Sequence, residues 1–289
     1  LTSRSTLNMG RNTKEKRDIY YRRAKEEGWR ARSAFKLLQI DDEFHIFKGV
    51  KNSVDLCAAP GSWSQVLSKK LYEPAANKDD IRIVAVDLQE MAPIPGVIQI
   101  KGDITRETTA QQIIDSCRGE RAELVVCDGA PDVTGLHDLD EYVQAQLLFA
   151  ALNIATHVLK AGGTFVAKVF KGRDTTLMYA QFKSFFKFVQ IVKPSSSRSG
   201  SIEAFLVCQE YQQPQEYVPI LINPISNRPY SEDAVLAPVN ETLMPFTSGG
   251  DLTGFDALLS SSGDVEDDPE FDAILKRFDP SMQASSSSS

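Results

Sequence analysis

Several landmarks are missing from this sequence, and each absence narrows what the chain can be. No apolar run reaches the roughly 18 residues that a membrane-spanning helix needs. The best candidate, residues 142–159, is interrupted by Gln144, Gln146, Asn153, Thr156 and His157, and it reads as a buried helix. No signal-peptide pattern opens the sequence. Cysteine is scarce: Cys57, Cys117, Cys127 and Cys208 show no zinc-ligand spacing, and three of them fall in apolar, strand-like runs. Free buried thiols in a reducing, cytoplasmic compartment are therefore expected. There is no metal-ligand cluster and no internal repeat. Neither GxGxxG nor GxxxxGK[ST] occurs, so neither a dinucleotide pyrophosphate nor an ATP phosphate is indicated.

What is present describes a globular chain with an uneven charge. The 289 residues are 42% hydrophobic and 25% charged, enough for one well-buried domain with appendages. The net charge is −7, yet residues 209–289 hold 14 acidic and 3 basic side chains, leaving 29 basic and 25 acidic in residues 1–208. Residues 9–36 alone carry ten basic and four acidic groups. A basic front end thus precedes the core and an acidic tail follows it, a distribution that permits a nucleic-acid partner.

The hydrophobic pattern divides the chain further. Residues 1–8, "LTSRSTLN", carry no pattern and are expected to be a leader ahead of Met9. Residues 9–40 read as a basic helical segment packed on the core, with Phe35 and Leu38 on one face. Strands are expected at 53–57, 83–86, 97–100, 124–127, 164–169, 189–192 and 204–208, and helices near 62–71, 107–117, 140–159 and 175–188. Such alternation indicates a mostly parallel sheet covered on both faces. The linker "KPSSSRSGS" is too short for a crossover helix, so the last two strands should pair antiparallel. Seven strands ending in an antiparallel hairpin, over residues 41–210, is the layout of a Rossmann-like α/β methyltransferase. Residues 211–259 are expected to be extended and to contact a partner, with the acidic, Ser-rich 260–289 disordered. Within that tail "EFDAILKRF" is a candidate short docking helix.

The stretch "VDLCAAPGSWSQVL" runs a buried strand into a Pro60-Gly61 turn and a helix start, where backbone can approach a ligand. Asp87 ends the next strand in "VAVDLQ", Asp103 the third in "GDIT", and Asp128 the fourth in "VVCDGAPD". A single strand-end Asp is usually a helix N-cap. Three of them face one crevice, and without a phosphate cradle they suit a ligand with a positive centre, a ribose and an adenine. S-adenosylmethionine fits that description.

Lys168 sits inside the apolar strand "GGTFVAKVFKG", where a lysine is costly unless paired. Lys36 adjoins the apolar face of "SAFKLL", and Glu203 opens the last strand. Any one of these alone is as well explained by a snorkelling lysine or a surface acid. Together with Asp128 they form two lysines and two acids that can converge above the sheet. Mutual repulsion and burial would depress the lysines' pKa values and let a neutral lysine take a proton from a hydroxyl.

These segments, with "WRARSAFKLLQI" and "SSSRSGSIEAFLVC", resemble the FtsJ/RrmJ family of S-adenosylmethionine-dependent RNA ribose 2′-O-methyltransferases over roughly residues 10–210. The resemblance implies a catalytic Lys-Asp-Lys-Glu tetrad at Lys36, Asp128, Lys168 and Glu203. It implies a cofactor site at Gly61, Trp63, Asp87, Asp103 and Asp128, without a metal. "MGRNTKEKRDIYYRRAKEEGWRARSAFKLL", "DGAPDVTGLHDLDEY" and the tail segment "PFTSGGDLTGFDA" look like the eukaryotic branch that methylates two tRNA anticodon-loop riboses, including the wobble nucleotide. That branch works with a WD-repeat partner for one nucleotide and a large helical-repeat partner for the other.

Arg11, Lys14, Lys16, Arg17, Arg30 and Arg32, with Tyr20, Tyr21 and Trp29 interleaved, and Arg198 in the "SSSRS" loop, are candidate RNA contacts. A solvated charged helix with core-facing aromatics is the alternative for that segment. His137 is expected to serve in a loop or partner contact, and the Met and Phe residues of "LMYAQFKSFFKF" in the core. Methylation of rRNA or an mRNA cap, or an inactive RNA-binding scaffold, remain the alternative functions. A Rossmann oxidoreductase is disfavoured by the missing GxGxxG.

Overall fold

The structure is a computed structural model that describes residues 19–130, 137–172, 175–198, 200–224, 226, 228–234 and 236–243. The expected leader, Arg11, Lys14, Lys16, Arg17 and the tail from 244 onward, with both tail segments named above, lie outside the described residues.

One seven-stranded sheet organises the chain. Its strands are β1 (Asn52–Leu56), β2 (Arg82–Asp87), β3 (Val97–Lys101), β4 (Ala122–Cys127), β5 (Leu159–Phe170), β6 (Phe186–Val192) and β7 (Glu203–Tyr211), in spatial order β3-β2-β1-β4-β5-β7-β6. The first five are parallel neighbours. β7 slides between β5 and β6 and runs antiparallel to both. The short linker therefore does make the expected antiparallel hairpin.

Alternation along the strands feeds two cores. Val54, Leu56, Val125, Cys127, Phe165 and Ala167 face α4 (Glu107–Ser116), α5 (His137–Val158) and α6 (Thr175–Lys183). Leu124, Val126, Val166 and Phe205 face α2 (Ala34–Phe44) and α3 (Ser62–Leu67). Ahead of α2, residues 19–26 are helical, α1. The interrupted apolar run is the buried helix α5, and the main chain of His137 opens that helix instead of lying in a loop. The stretch between α3 and β2 is a π-helical turn and an exposed 3₁₀ turn, a surface excursion as its polar sequence suggests.

Two details differ from the sequence reading. α6 ends at Lys183, not near 188, because the aromatic and β-branched run "FFKFVQIV" takes up the edge strand β6. Phe188 is consequently 48% exposed on that edge, whereas Met178, Phe182, Phe185 and Phe186 are buried as expected.

Residues 212–243 are also less free than their composition suggests. The buried Asn153 of α5 donates to the Ile220 carbonyl (2.8 Å) and accepts from the Ile222 amide (3.0 Å). Tyr217 is buried edge-on against Phe185. A small hairpin, β8 (Ile222–Asn223) and β9 (Arg228–Pro229), and the short α7 (Pro238–Leu243) follow. Replacing Asn153 with Ala strands both backbone groups in an apolar setting, which costs about 1–3 kcal/mol. Asn153→Ala should lower the urea midpoint and speed hydrogen exchange at the Ile222 amide first.

Candidate active site

Register builds the site. Cys127 of β4 pairs with Ala167 of β5, so Asp128 leaves its strand beside Lys168. Across β5 and β7, Lys168 pairs with Phe205, which sets Glu203 diagonally next to Lys168 on the same face. α2 packs on that face and brings Lys36 across Phe205, its ammonium 5.4 Å from the ring centroid. Four residues remote in sequence thus meet at one end of the sheet.

Their charges interlock. The Lys36 ammonium lies 2.6 Å from one Glu203 oxygen and donates to the other at 2.7 Å. The Lys168 ammonium lies 2.7 Å from Asp128 Oδ1 and 3.5 Å from Glu203 Oε2, and it donates to the Asp128 carbonyl at 3.0 Å. Lys36 and Lys168 are 9% and 8% exposed. Ser197 Oγ donates to Glu203 at 3.1 Å, and Gln144 of α5 donates to the Lys168 carbonyl at 2.6 Å. The sequence flagged neither helper, although Gln144 is one of the polar interruptions in the α5 run.

The electrostatics differ from the expected depression of the lysine. Burial pulls the Lys168 pKa down, but the carboxylates of Asp128 and then Glu203 more than offset it, and the net shift is upward. Burial pushes Glu203 up, but Lys36 first and Lys168 second hold it below the usual carboxylate range. With two acids for two ammoniums, attraction outweighs the repulsion between the lysines.

The turn after β1 forms a second part of the site. Gly61 has φ +100, a backbone conformation that calls for glycine, and a Cβ there would displace the Arg30 guanidinium, 2.5 Å away. Arg30 itself turns inward. Its guanidinium donates to the carbonyls of Pro60 (3.0 Å), Ala92 (2.6 Å) and Pro93 (3.1 Å), and its amide donates to Gln65. The candidate RNA contact at this position is a tie holding the β1 and β2 loops together. Trp63 likewise points away from the crevice: its indole is 2% exposed, donates to the Ser33 carbonyl at 2.9 Å and packs on Phe205. Only its backbone borders the turn.

Asp87 Oδ2 accepts from the Ala59 amide and Oδ1 from the Gln89 amide, both at 2.8 Å. Asp103 Oδ1 accepts from the Thr105 amide and hydroxyl, while Oδ2 lies 3.8 Å from Arg106 Nε. The three acids at the ends of β2, β3 and β4 thus stand at the same, carboxyl-terminal edge of the parallel strands.

The family model for FtsJ-like methyltransferases matches residues 29–211. The chain belongs to that family. It is 59% identical over 264 residues to a mouse protein named tRNA (cytidine(32)/guanosine(34)-2′-O)-methyltransferase, spanning 91% of this chain and 80% of that one. A Schizosaccharomyces pombe protein of the same name is 54% identical over 254 residues, spanning 86% of each chain. A Drosophila protein named tRNA (guanosine(34)-2′-O)-methyltransferase is 56% identical over 213 residues, spanning 73% of this chain and 67% of that one. Among solved structures, a ribosomal RNA methyltransferase from Plasmodium falciparum shares the fold, with TM-score 0.55, 24% identity, and coverage of 63% of this chain and 98% of that one.

For this FtsJ-like methyltransferase two further candidate RNA contacts, Arg32 and Arg198, are among the described residues. Arg32 donates to the Ser196 carbonyl and lies 5.9 Å from the Tyr20 ring centroid. Arg198 is exposed in the loop that also carries Ser197. The four cysteines are free; the hydrogen bond with the Cys127 thiol, and then burial, push the Cys57 thiol well above its ordinary value. Among the described residues, no group of three or more His, Cys, Asp or Glu could hold a metal ion, and no helix is long and apolar enough to cross a membrane.

Beneath the crevice lies an acid that the sequence reading passed over. Asp55 is fully buried in β1, accepts from Ser64 Oγ at 2.5 Å, and has a second oxygen with no partner. Burial raises its pKa to about 7 against the Ser64 bond, with Asp128 and Asp87 adding to the rise. A folded pKa above the unfolded one means that its stabilising contribution is full at acid pH and is lost as pH rises through about 7. Asp55→Asn should therefore be more stable than the wild type near pH 8, by a margin that shrinks toward about pH 4, measured by urea unfolding.

Proposed function

We propose that this methyltransferase transfers the methyl group of S-adenosylmethionine to ribose 2′-hydroxyls of the tRNA anticodon loop. The nucleotides are 32 and 34, the positions in the names of the mouse and fission-yeast relatives. The observation that carries the chemistry is Lys168, buried in a central strand and held between Asp128 and Glu203.

The crevice suits the cofactor by its donor set. Carboxylates at the ends of β2, β3 and β4 can accept from hydroxyl and amino groups, and Asp128 offers negative charge to a cationic centre. When bound, S-adenosylmethionine supplies a methyl group already activated by its sulfonium. Gly61, Asp87, Asp103, Asp128 and the backbone of Trp63 would hold it.

Lys168 accepts the proton of the ribose hydroxyl, and Asp128 holds the ammonium so formed. Lys36 and Glu203 orient the ribose and set the charge around Lys168. Alignment of hydroxyl and methyl supplies much of the rate. Because the Lys168 pKa is raised in the free protein, Lys168 is an ammonium at neutral pH and must lose a proton before it can act. Positive charge brought beside Asp128 works in that direction.

The flank of the groove suits RNA. Tyr20 of α1 and Gln39 of α2 join these helices to Ser195 and Ser196 in the loop before β7, where Arg32 also binds; Arg198 is exposed on that loop. Arg11, Lys14, Lys16 and Arg17 extend the basic segment in sequence, whereas Arg30 serves the turn. A WD-repeat partner and a large helical-repeat partner would select between the two nucleotides, in the cytoplasm.

The test is transfer of labelled methyl from S-adenosylmethionine to total tRNA, with each partner added. Wild type should label anticodon-loop ribose oxygens, and Lys168→Ala should lose at least about a hundredfold, the lower range for general-base loss. Label appearing in rRNA or capped mRNA instead would overturn the substrate assignment. Single-turnover rates should rise with pH, and in Glu203→Gln the rise should move to lower pH, since removing a negative charge eases proton loss from Lys168.

A further inference from the structure

The family domain ends at residue 211, but the described chain continues along α5 to the cofactor crevice. We propose that this extension is a working part of the cofactor site, with Tyr230 as a positioning residue for Asp103. The inference rests on the reading that S-adenosylmethionine lies over Asp87 and Asp103.

The extension is fastened before it reaches the crevice. Asn153 holds Ile220 and Ile222, and Tyr217 is buried on Phe185. Asn240 brackets Val218, accepting from its amide at 3.1 Å and donating to its carbonyl at 2.7 Å. The Tyr230 amide donates to the Leu221 carbonyl at 3.2 Å, which ties the chain just after β9 back to the fastened part. These bonds fix where the Tyr230 ring emerges.

From there the Tyr230 hydroxyl donates to the Thr105 carbonyl. Thr105 is the residue whose amide (2.9 Å) and hydroxyl (2.7 Å) both bind Asp103 Oδ1. Tyr230 thus grips the far side of the peptide turn that aims Asp103. One Asp103 oxygen is committed to the turn, and Oδ2, in a long 3.8 Å ion pair with the exposed Arg106, is the one assigned to a ligand. Burial and the nearby Asp103 raise the phenol pKa, which keeps the proton on the hydroxyl and the hydroxyl a donor. The hydrogen bonds run from Asn153 to the segment that holds Leu221 and Ile222, from Leu221 to Tyr230, and from Tyr230 through Thr105 to Asp103.

A residue that aims a cofactor contact alters affinity for the cofactor and leaves the methyl-transfer step alone. Tyr230→Phe removes one hydroxyl and keeps the ring. Its dissociation constant for S-adenosylhomocysteine, measured by calorimetry on the full chain, should rise about threefold to tenfold, the loss of one hydrogen bond. KM for S-adenosylmethionine should rise by the same factor, with kcat within about twofold. In an Asp103→Ala background the Tyr230→Phe factor should vanish, because the group it aims is gone.

Unchanged affinity in Tyr230→Phe overturns the proposal, as does the same factor in both backgrounds or a loss confined to kcat. Wild type that fails to bind S-adenosylhomocysteine overturns the cofactor reading and this inference with it. Wild type that binds normally beside an unaffected Tyr230→Phe overturns the inference alone.

Discussion

A lysine inside a buried β-strand is the constraint on which the rest of the site depends. Lys168 cannot be removed from water without counter-charge, because an unpaired ammonium in an apolar interior costs several kcal/mol or loses its proton. The fold answers with geometry. β4 ends at Cys127, opposite Ala167, so that Asp128 arrives where the charge is. β7 enters between β5 and β6, so that Glu203 arrives from the other side. Glu203 then stands between two ammoniums, and α2 must lie across Phe205 to supply the second. Removing any one of the four leaves the others with an uncompensated charge at low exposure.

Most of this was legible in the sequence because the relevant signals are local and strong. The five parallel strands are short apolar runs ended by Asp87, Asp103, Asp128 or a glycine turn, and such runs are hard to mistake. Lys168, Lys36 and Glu203 stood out by breaking apolar patterns. What escaped was decided by partners far away in the chain. Arg30 is one basic residue among ten in its segment, and nothing nearby shows that three carbonyls from two loops await it. Trp63 follows a glycine turn, yet its indole is claimed by Ser33 and Phe205. The end of α6 was misplaced because helical and strand periods overlap in a run of aromatics, and edge pairing with β7 settled the matter. The direction of the Lys168 shift was misread for a related reason: repulsion between lysines is visible in composition, whereas the balance against two acids depends on distances.

Arg30 also joins two parts that the sequence presents as separate. Its backbone belongs to the basic front end, while its guanidinium closes the loops after β1 and β2. The segment proposed to meet RNA and the turn proposed to meet the cofactor are thus tied together through one side chain. Tyr20, Arg32 and Gln39 make the corresponding connection to the loop before β7.

The insertion of β7 between β5 and β6 sets an order of events during synthesis. Lys36 and Glu203 are 167 residues apart, and the strand carrying Glu203 is made last of the seven. Until it emerges, β5 has an open edge on one side and β6 has no neighbour. A nascent chain can form the cofactor turn and pair β1 to β5, but Lys168 then has only Asp128 for company. Completion of the sheet and completion of the charge set are therefore the same late step, at the end of a loop closure that spans most of the described chain. Partly made chains hold Lys168 with half of its counter-charge.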